Sequence, residues 1–224
     1  MLAGDFLDCL SLGHAGYRRN IRPQQWITLK EEMAEGKIIL EYLAKSFTHI
    51  KLMRGNHLER SRKWFTERVG PEMMFLVNHD IMALLTADYD NIEMVNTTDQ
   101  EGNDISWIYQ IGDCRICHAE VGSSTEFRPT VRVNDWFLQW DNYLQLQPFN
   151  VLIECHSHQS GIMALNNGRK ILVEGACLCR SHQYSLEPEV KYKHPQVNGV
   201  TYFEQNRGVT DINSIRQYIF QDMK

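Results

Sequence analysis

Phe149-Asn150-Val151-Leu152-Ile153-Glu154-Cys155-His156-Ser157-His158 is the stretch from which the rest of the chain is read. Phe149 to Ile153 is apolar except for Asn150, the mark of a strand buried on both faces. The run then stops in a histidine pair. Residues two apart in an extended segment face the same way, so the spacing predicts that His156 and His158 reach one cluster. Strands buried on both faces belong to sheets covered by helices, where ligands gather beyond the carboxyl ends of the strands.

Three more polar clusters fall where a strand is predicted to run out. Met1-Leu2-Ala3 leads to Gly4-Asp5-Phe6-Leu7-Asp8. His49 to Met53 leads to Arg54-Gly55-Asn56-His57. Cys114 to Cys117 leads to His118-Ala119-Glu120. Together the four offer carboxylate, amide and imidazole groups, the ligand set of a centre for one or two divalent cations.

Between the clusters the pattern alternates. Pro23 fits the first turn of a helix running to about Ser46, with Trp26, Leu29, Met33, Leu40, Leu43 and Phe47 at three- and four-residue steps, broken near Gly36. Leu58 to Val69 reads as a charged helix stopped by Gly70-Pro71, and Pro71 to Asp88 as one or two more. Ile92–Val95 and Trp107–Ile111 have strand character. Gly122 to Arg132 reads as a loop, and Trp136, Phe137, Trp140 and Leu144 define a helix face. Ile162–Leu165 and Lys170–Cys179 flank Asn166-Asn167-Gly168 as a hairpin, and one last strand is expected near Val200–Glu204. The expectation is an α/β chain.

The chain has 224 residues, 43% of them hydrophobic, and a net charge of −5. It is long enough to bury a real core, and a single domain over 1–224 with a tail of unassigned role over 181–224 is expected. The acidic balance argues against a protein whose main task is gripping duplex DNA. No stretch is apolar for long enough to span a membrane, and the N-terminus has no basic region followed by an apolar core, so no membrane partner and a cytoplasmic location are expected. The six cysteines do not suggest a disulfide framework. Cys114-x-x-Cys117 with Cys177-x-Cys179 offers a competing zinc set, but no knuckle turn separates the first pair, and core or surface packing is the preferred reading.

Each cluster has its own chemistry. A carboxylate such as Asp5 can bridge two cations about 3.5–4 Å apart. Asn56 supplies a neutral carbonyl oxygen. His57, its neighbour, points elsewhere and suits a general acid toward a leaving oxygen, with Asp8 orienting it. Arg54 and Arg60, nearest the loop, suit a substrate phosphate. Arg62, Lys63 and Arg68 read as a solvated helix face.

In order and spacing, Gly4-Asp5-x-x-Asp8, Gly55-Asn56-His57, His118 and His156-x-His158 resemble the calcineurin-like metallophosphoesterase superfamily over about residues 1 to 180. The chain also looks like the compact members found in phages and bacteria. The resemblance implies a four-layer αββα sandwich and a centre of two divalent metal ions, manganese first, with iron, zinc, nickel or magnesium as alternatives. It implies metal ligation by Asp5, Asn56, His118, His156 and His158, with catalysis by His57 and Asp8. The family's opening Asp-x-His motif does not occur, so a chain N-terminally truncated relative to the family is expected, with the second metal incomplete. Leu58 and Cys155 replace the family's usual acid and glycine.

The implied function is metal-dependent hydrolysis of phosphodiester bonds, nucleic acid among the candidate substrates, or of phosphomonoesters. The rival is a non-catalytic binding or scaffold protein on the same fold. A homo-oligomer is left open.

Overall fold

A computed structural model describes residues 1–12, 27–69, 80–121, 123, 125–178 and 196–220. The chain divides into two compact units, Met1–Val95 and Asn96–Lys224, and each is α/β, as expected.

In the first unit, β1 (Leu2–Ala3), β2 (Ile50–Met53) and β3 (Ile92–Met94) form a parallel sheet in the order β1-β2-β3. β2 is central, which is why Leu52 and Met53 are wholly buried. Parallel neighbours require crossovers. Helix α1 (Leu29–Ser46) lies on the first, and α2 (Glu59–Val69) and α3 (Ile81–Thr86) on the second. α1 opens on a capping box: Glu31 N–H donates to Thr28 Oγ1, and Thr28 N–H to Glu31 Oε2. Gly36, where the apolar period breaks, is a packing position. A Cβ there would sit 3.1 Å from Leu7 Cδ2 and 3.2 Å from Phe6 Cε1, so the missing side chain lets the helix approach the loop after β1. Leu7, Leu40, Ile50, Leu52, Leu58, Met82, Leu85 and Ile92 share the core. The predicted start of α1 at Pro23 and the Gly70-Pro71 stop lie outside the described residues, as do Trp26 and most of the helix expected from Pro71.

In the second unit, β4 (Ile108–Ile111), β5 (Cys114–Cys117), β6 (Val151–Glu154), β7 (Gly161–Leu165) and β8 (Lys170–Glu174) form a sheet in the order β4-β5-β6-β8-β7. The three inner strands are parallel and the outer pairs antiparallel. β6 is in the middle and buried throughout, as its apolar run predicts. The β7–β8 turn uses the left-handed region at Asn166, Asn167 and Gly168, residues that tolerate it.

Helix α4 (Arg128–Leu144) covers one face of this sheet. It begins inside the segment read as a loop, because Pro129 fits the first turn and its successors join the apolar face. Phe137 is wholly buried there among Val133, Leu144, Leu152 and Leu172. Arg115 of β5 is buried on the same face. Its guanidinium carbon stands 4.4 Å from the Phe137 ring centroid and 4.1 Å from that of Phe149, and Nη1 donates to Asp141 Oδ1 at 2.5 Å.

Beyond the sheet, β9 (Gly199–Asn206) pairs with β10 (Val209–Ile219). Only the first was expected. β10 is read as a polar tail because Asp211, Asn213 and Arg216 break its alternation, and its register shifts between Asp211 and Arg216. The turn at Gly208 meets the β4–β5 turn: Asp113 N–H donates to Gly208 O at 2.8 Å, and Thr210 Oγ1 to Asp113 Oδ1 at 2.6 Å. No helix among the described residues is long and apolar enough to cross a membrane.

Candidate functional site

The first unit carries a polar network at the carboxyl ends of β1 and β2. Their parallel register, Leu2 opposite Leu52 and Ala3 opposite Met53, delivers Asp5 and the Gly55-Asn56-His57 turn side by side. His57 N–H donates to Asp5 Oδ1 at 2.9 Å. Gly55 makes this approach feasible, since a Cβ there would fall inside contact distance of Asp5 Oδ1 and of the Asp5 backbone nitrogen. The His57 ring is buried, with Nδ1 at 2.7 Å from Asp8 Oδ1 and Nε2 at 3.6 Å from Asp5 Oδ2. Asn56 is half-buried.

Asp8 is itself held. Arg60 Nη1 donates to Asp8 O at 2.8 Å and to Asp8 Oδ1 at 2.5 Å. Glu32 Oε1, from α1, accepts the backbone N–H groups of Asp8 and, at 2.9 Å, of Cys9, whose φ is +49°. Burial pushes the Glu32 carboxyl above its ordinary range, and the two amide bonds oppose that rise. Glu32 escapes sequence reading because it is one acid among several on a helix whose cap uses Glu31. Arg54 Nη2 donates to Asp80 Oδ2 at 2.8 Å, and its side chain keeps 40% of its exposure. Asp80 also caps α3, accepting from Met82 and Ala83 N–H at 3.1 Å each.

The second unit carries the remaining histidines at the ends of β5 and β6. His118 is buried, and its N–H donates to Trp107 O at 2.9 Å. Cys155 N–H donates to Cys117 O at 3.0 Å, so the strand ends stay in step. His156 Nδ1 comes within 3.3 Å of His118 Nε2, with the ring planes 87° apart.

The histidine segment is not extended, which corrects the geometric reason for pairing His156 with His158. Residues 156 and 157 form a bend, and His158 has φ +57°. His156 turns to His118, whereas His158 Nδ1 lies 2.9 Å from Gln196 Nε2 and its carbonyl accepts from Val197 N–H at 2.9 Å. The bend is imposed by Glu154: its Oε1 accepts from His156 N–H at 2.7 Å and its Oε2 from Ser157 N–H at 3.2 Å. Burial lifts the Glu154 carboxyl to about 7 against the pull of those two amides and of His118. The one sequence signal for Glu154 is an acid closing a buried apolar run.

Cys114 and Cys117 lie three residues apart on β5, hence on opposite faces, and both are buried. Burial raises the Cys114 thiol to about 12 and the Cys117 thiol well above its ordinary value. Cys177 N–H and O bond Val197 and Gly199, and Cys179 lies outside the described residues.

In sequence, no family model matches this chain and no curated protein matches it. Among solved structures it is similar to Vps29 from Entamoeba histolytica. With wild-type Vps29 complexed with Zn2+ it shares 12% identity over 82% of this chain and 88% of that one, at a TM-score of 0.38. With a single mutant of Vps29 the values are 15%, 98% of each chain and 0.40.

Proposed function

We propose that this chain is a metallophosphoesterase-like protein of the calcineurin type. In this reading it hydrolyses phosphate esters, phosphodiesters first, with nucleic acid among the substrates. The observation that carries it is that each strand-end cluster is pre-set for its role by bonds within its own unit: Asp5 fixed to the His57 amide, His57 backed by Asp8, and His118 facing His156.

Divalent cations, manganese first, would take ligands from Asp5 and Asn56 in the first unit and from His118, His156 and His158 in the second. The donors fit such ions: carboxylate and amide oxygens and imidazole nitrogens suit manganese, iron or zinc. When bound, the cations lower the pKa of a coordinated water and stabilise charge on the phosphoryl group. His57 gives a proton from Nε2 to the leaving oxygen, and Asp8 stabilises the imidazolium through Nδ1. Arg60 keeps Asp8 in place. Arg54, half-exposed, meets a substrate oxygen by exchanging its pair with Asp80, an exposed pair being worth little. The chain works in a reducing cytoplasm, a reading supported by five free cysteines among the described residues.

The test is hydrolysis of bis(4-nitrophenyl) phosphate. Activity is expected only with added manganese, lost on chelation, and reduced about 10²–10⁴-fold in His57→Ala. Metal binding without hydrolysis would move the chain to the class of binding proteins on this fold. No metal binding at all would sink the reading.

A further inference from the structure

Glu154 is the last residue of β6, in register with Cys117 of β5 and Glu174 of β8, so the three side chains share the sheet face that packs on α4. It is fully buried, and among the described residues no lysine or arginine pairs with it. Such a carboxylate is expensive to keep, and apolar residues fill the same face at Leu152 and Leu172. Its contacts explain its presence: one carboxylate satisfies two consecutive amides, those of His156 and Ser157, at 2.7 and 3.2 Å. Two bonds from one rigid group fix the backbone on both sides of the His156 Cα. That backbone turns the ring toward His118, 3.3 Å away, while Gln196 and Val197 secure His158 from another segment.

We propose that Glu154 is the positioning residue of the metal-binding histidine loop: it sets the His156 backbone so that the His118 and His156 imidazoles converge. This rests on the metal-binding reading above. Groups that orient ligands from behind are worth about 10–100-fold in metal affinity. Glutamine keeps one acceptor oxygen and leucine keeps none, so affinity is expected to fall in the order wild type, Glu154→Gln, Glu154→Leu. Stability is expected to fall less than affinity in Glu154→Leu, because the cost of two amides left without their acceptor is offset by removal of a buried carboxyl group. A merely structural residue would lower both quantities alike.

The experiment combines three measurements on the full chain. Hydrogen exchange of the His156 and Ser157 amides, metal-free, is expected to show protection in wild type, part of it lost in Glu154→Gln and all of it in Glu154→Leu. Manganese and zinc titrations are expected to show a loss of affinity of about tenfold or more in Glu154→Leu, with His118→Ala as the ligand-deletion control. Thermal melts supply the stability order. Unchanged exchange in Glu154→Leu overturns the proposal, as does unchanged affinity in a variant whose exchange has risen. Wild-type protein that binds neither metal refutes the metal-binding reading and takes the affinity half of the proposal with it, whereas the exchange result still decides whether Glu154 sets the backbone.

Discussion

Gly55→Ala is the sharpest perturbation of the polar cluster in the first unit. The Gly55 side-chain position is filled on one side by Asp5: an added Cβ falls well inside contact distance of its Oδ1 and of its backbone nitrogen. The carboxylate can swing away, but the backbone nitrogen belongs to the chain leaving β1, so the β1–β2 ends must part. Overpacking of this kind costs about 1–3 kcal/mol, and the His57 amide loses its bond to Asp5, adding about 1 kcal/mol. A total near 3 kcal/mol in a chain of 224 residues is a fall of about 6–12 °C in its melting temperature. Gly102→Ala is the matched control. Gly102 has φ +82° and nothing within 4 Å of its side-chain position, so only backbone strain of about 1–2 kcal/mol applies. Calorimetric melts of both variants, with manganese titrations, are the assay. A Gly55→Ala protein that melts within a few degrees of wild type and binds metal equally would refute the steric reasoning.

Arg115→Ala leaves Asp141 without its partner and Phe137 and Phe149 without the cation between them. A loss of about 3–5 kcal/mol is expected in urea denaturation; a midpoint within error of wild type would contradict it. Cys9 and Cys114 have thiols raised to about 12 by burial. A thiol held neutral in the fold adds stability that is present below the unfolded value of 9.0 and lost as pH rises toward 12, roughly 1 kcal/mol per thiol at pH 10. Denaturation midpoints at pH 7 and 10 measure this, and the slope is expected to flatten in Cys114→Ala. The same shift predicts about a thousandfold slower alkylation of Cys114 in native than in unfolded protein at pH 8.

The elements that carry the candidate site were legible because their signals are local. The buried run at Val151–Glu154, the strand at Ile50–Met53 and the Asn166-Asn167-Gly168 turn each declare themselves in a few residues. What was not legible depends on contacts distant in sequence. Glu32 reaches Asp8 and Cys9 from α1 across more than twenty residues, and nothing in its own helix distinguishes it from Glu31 or Glu35. β10 hides its alternation behind a register shift. The His156–His158 spacing assumes an extended segment, and the backbone is bent there instead: Glu154 accepts from the His156 amide, His156 meets His118 and His158 meets Gln196. Arg54 and Arg60 share a loop in sequence, yet Arg60 holds Asp8 and Arg54 keeps half-exposed company with Asp80.

The most direct test of the account is a manganese titration of the wild-type chain alongside His156→Ala and Asp5→Asn, one substitution in each unit, followed by calorimetry. Saturable binding by wild type, weakened at least tenfold by each substitution, is the expected result. Wild-type affinity in either variant, or no binding by wild type, would contradict it.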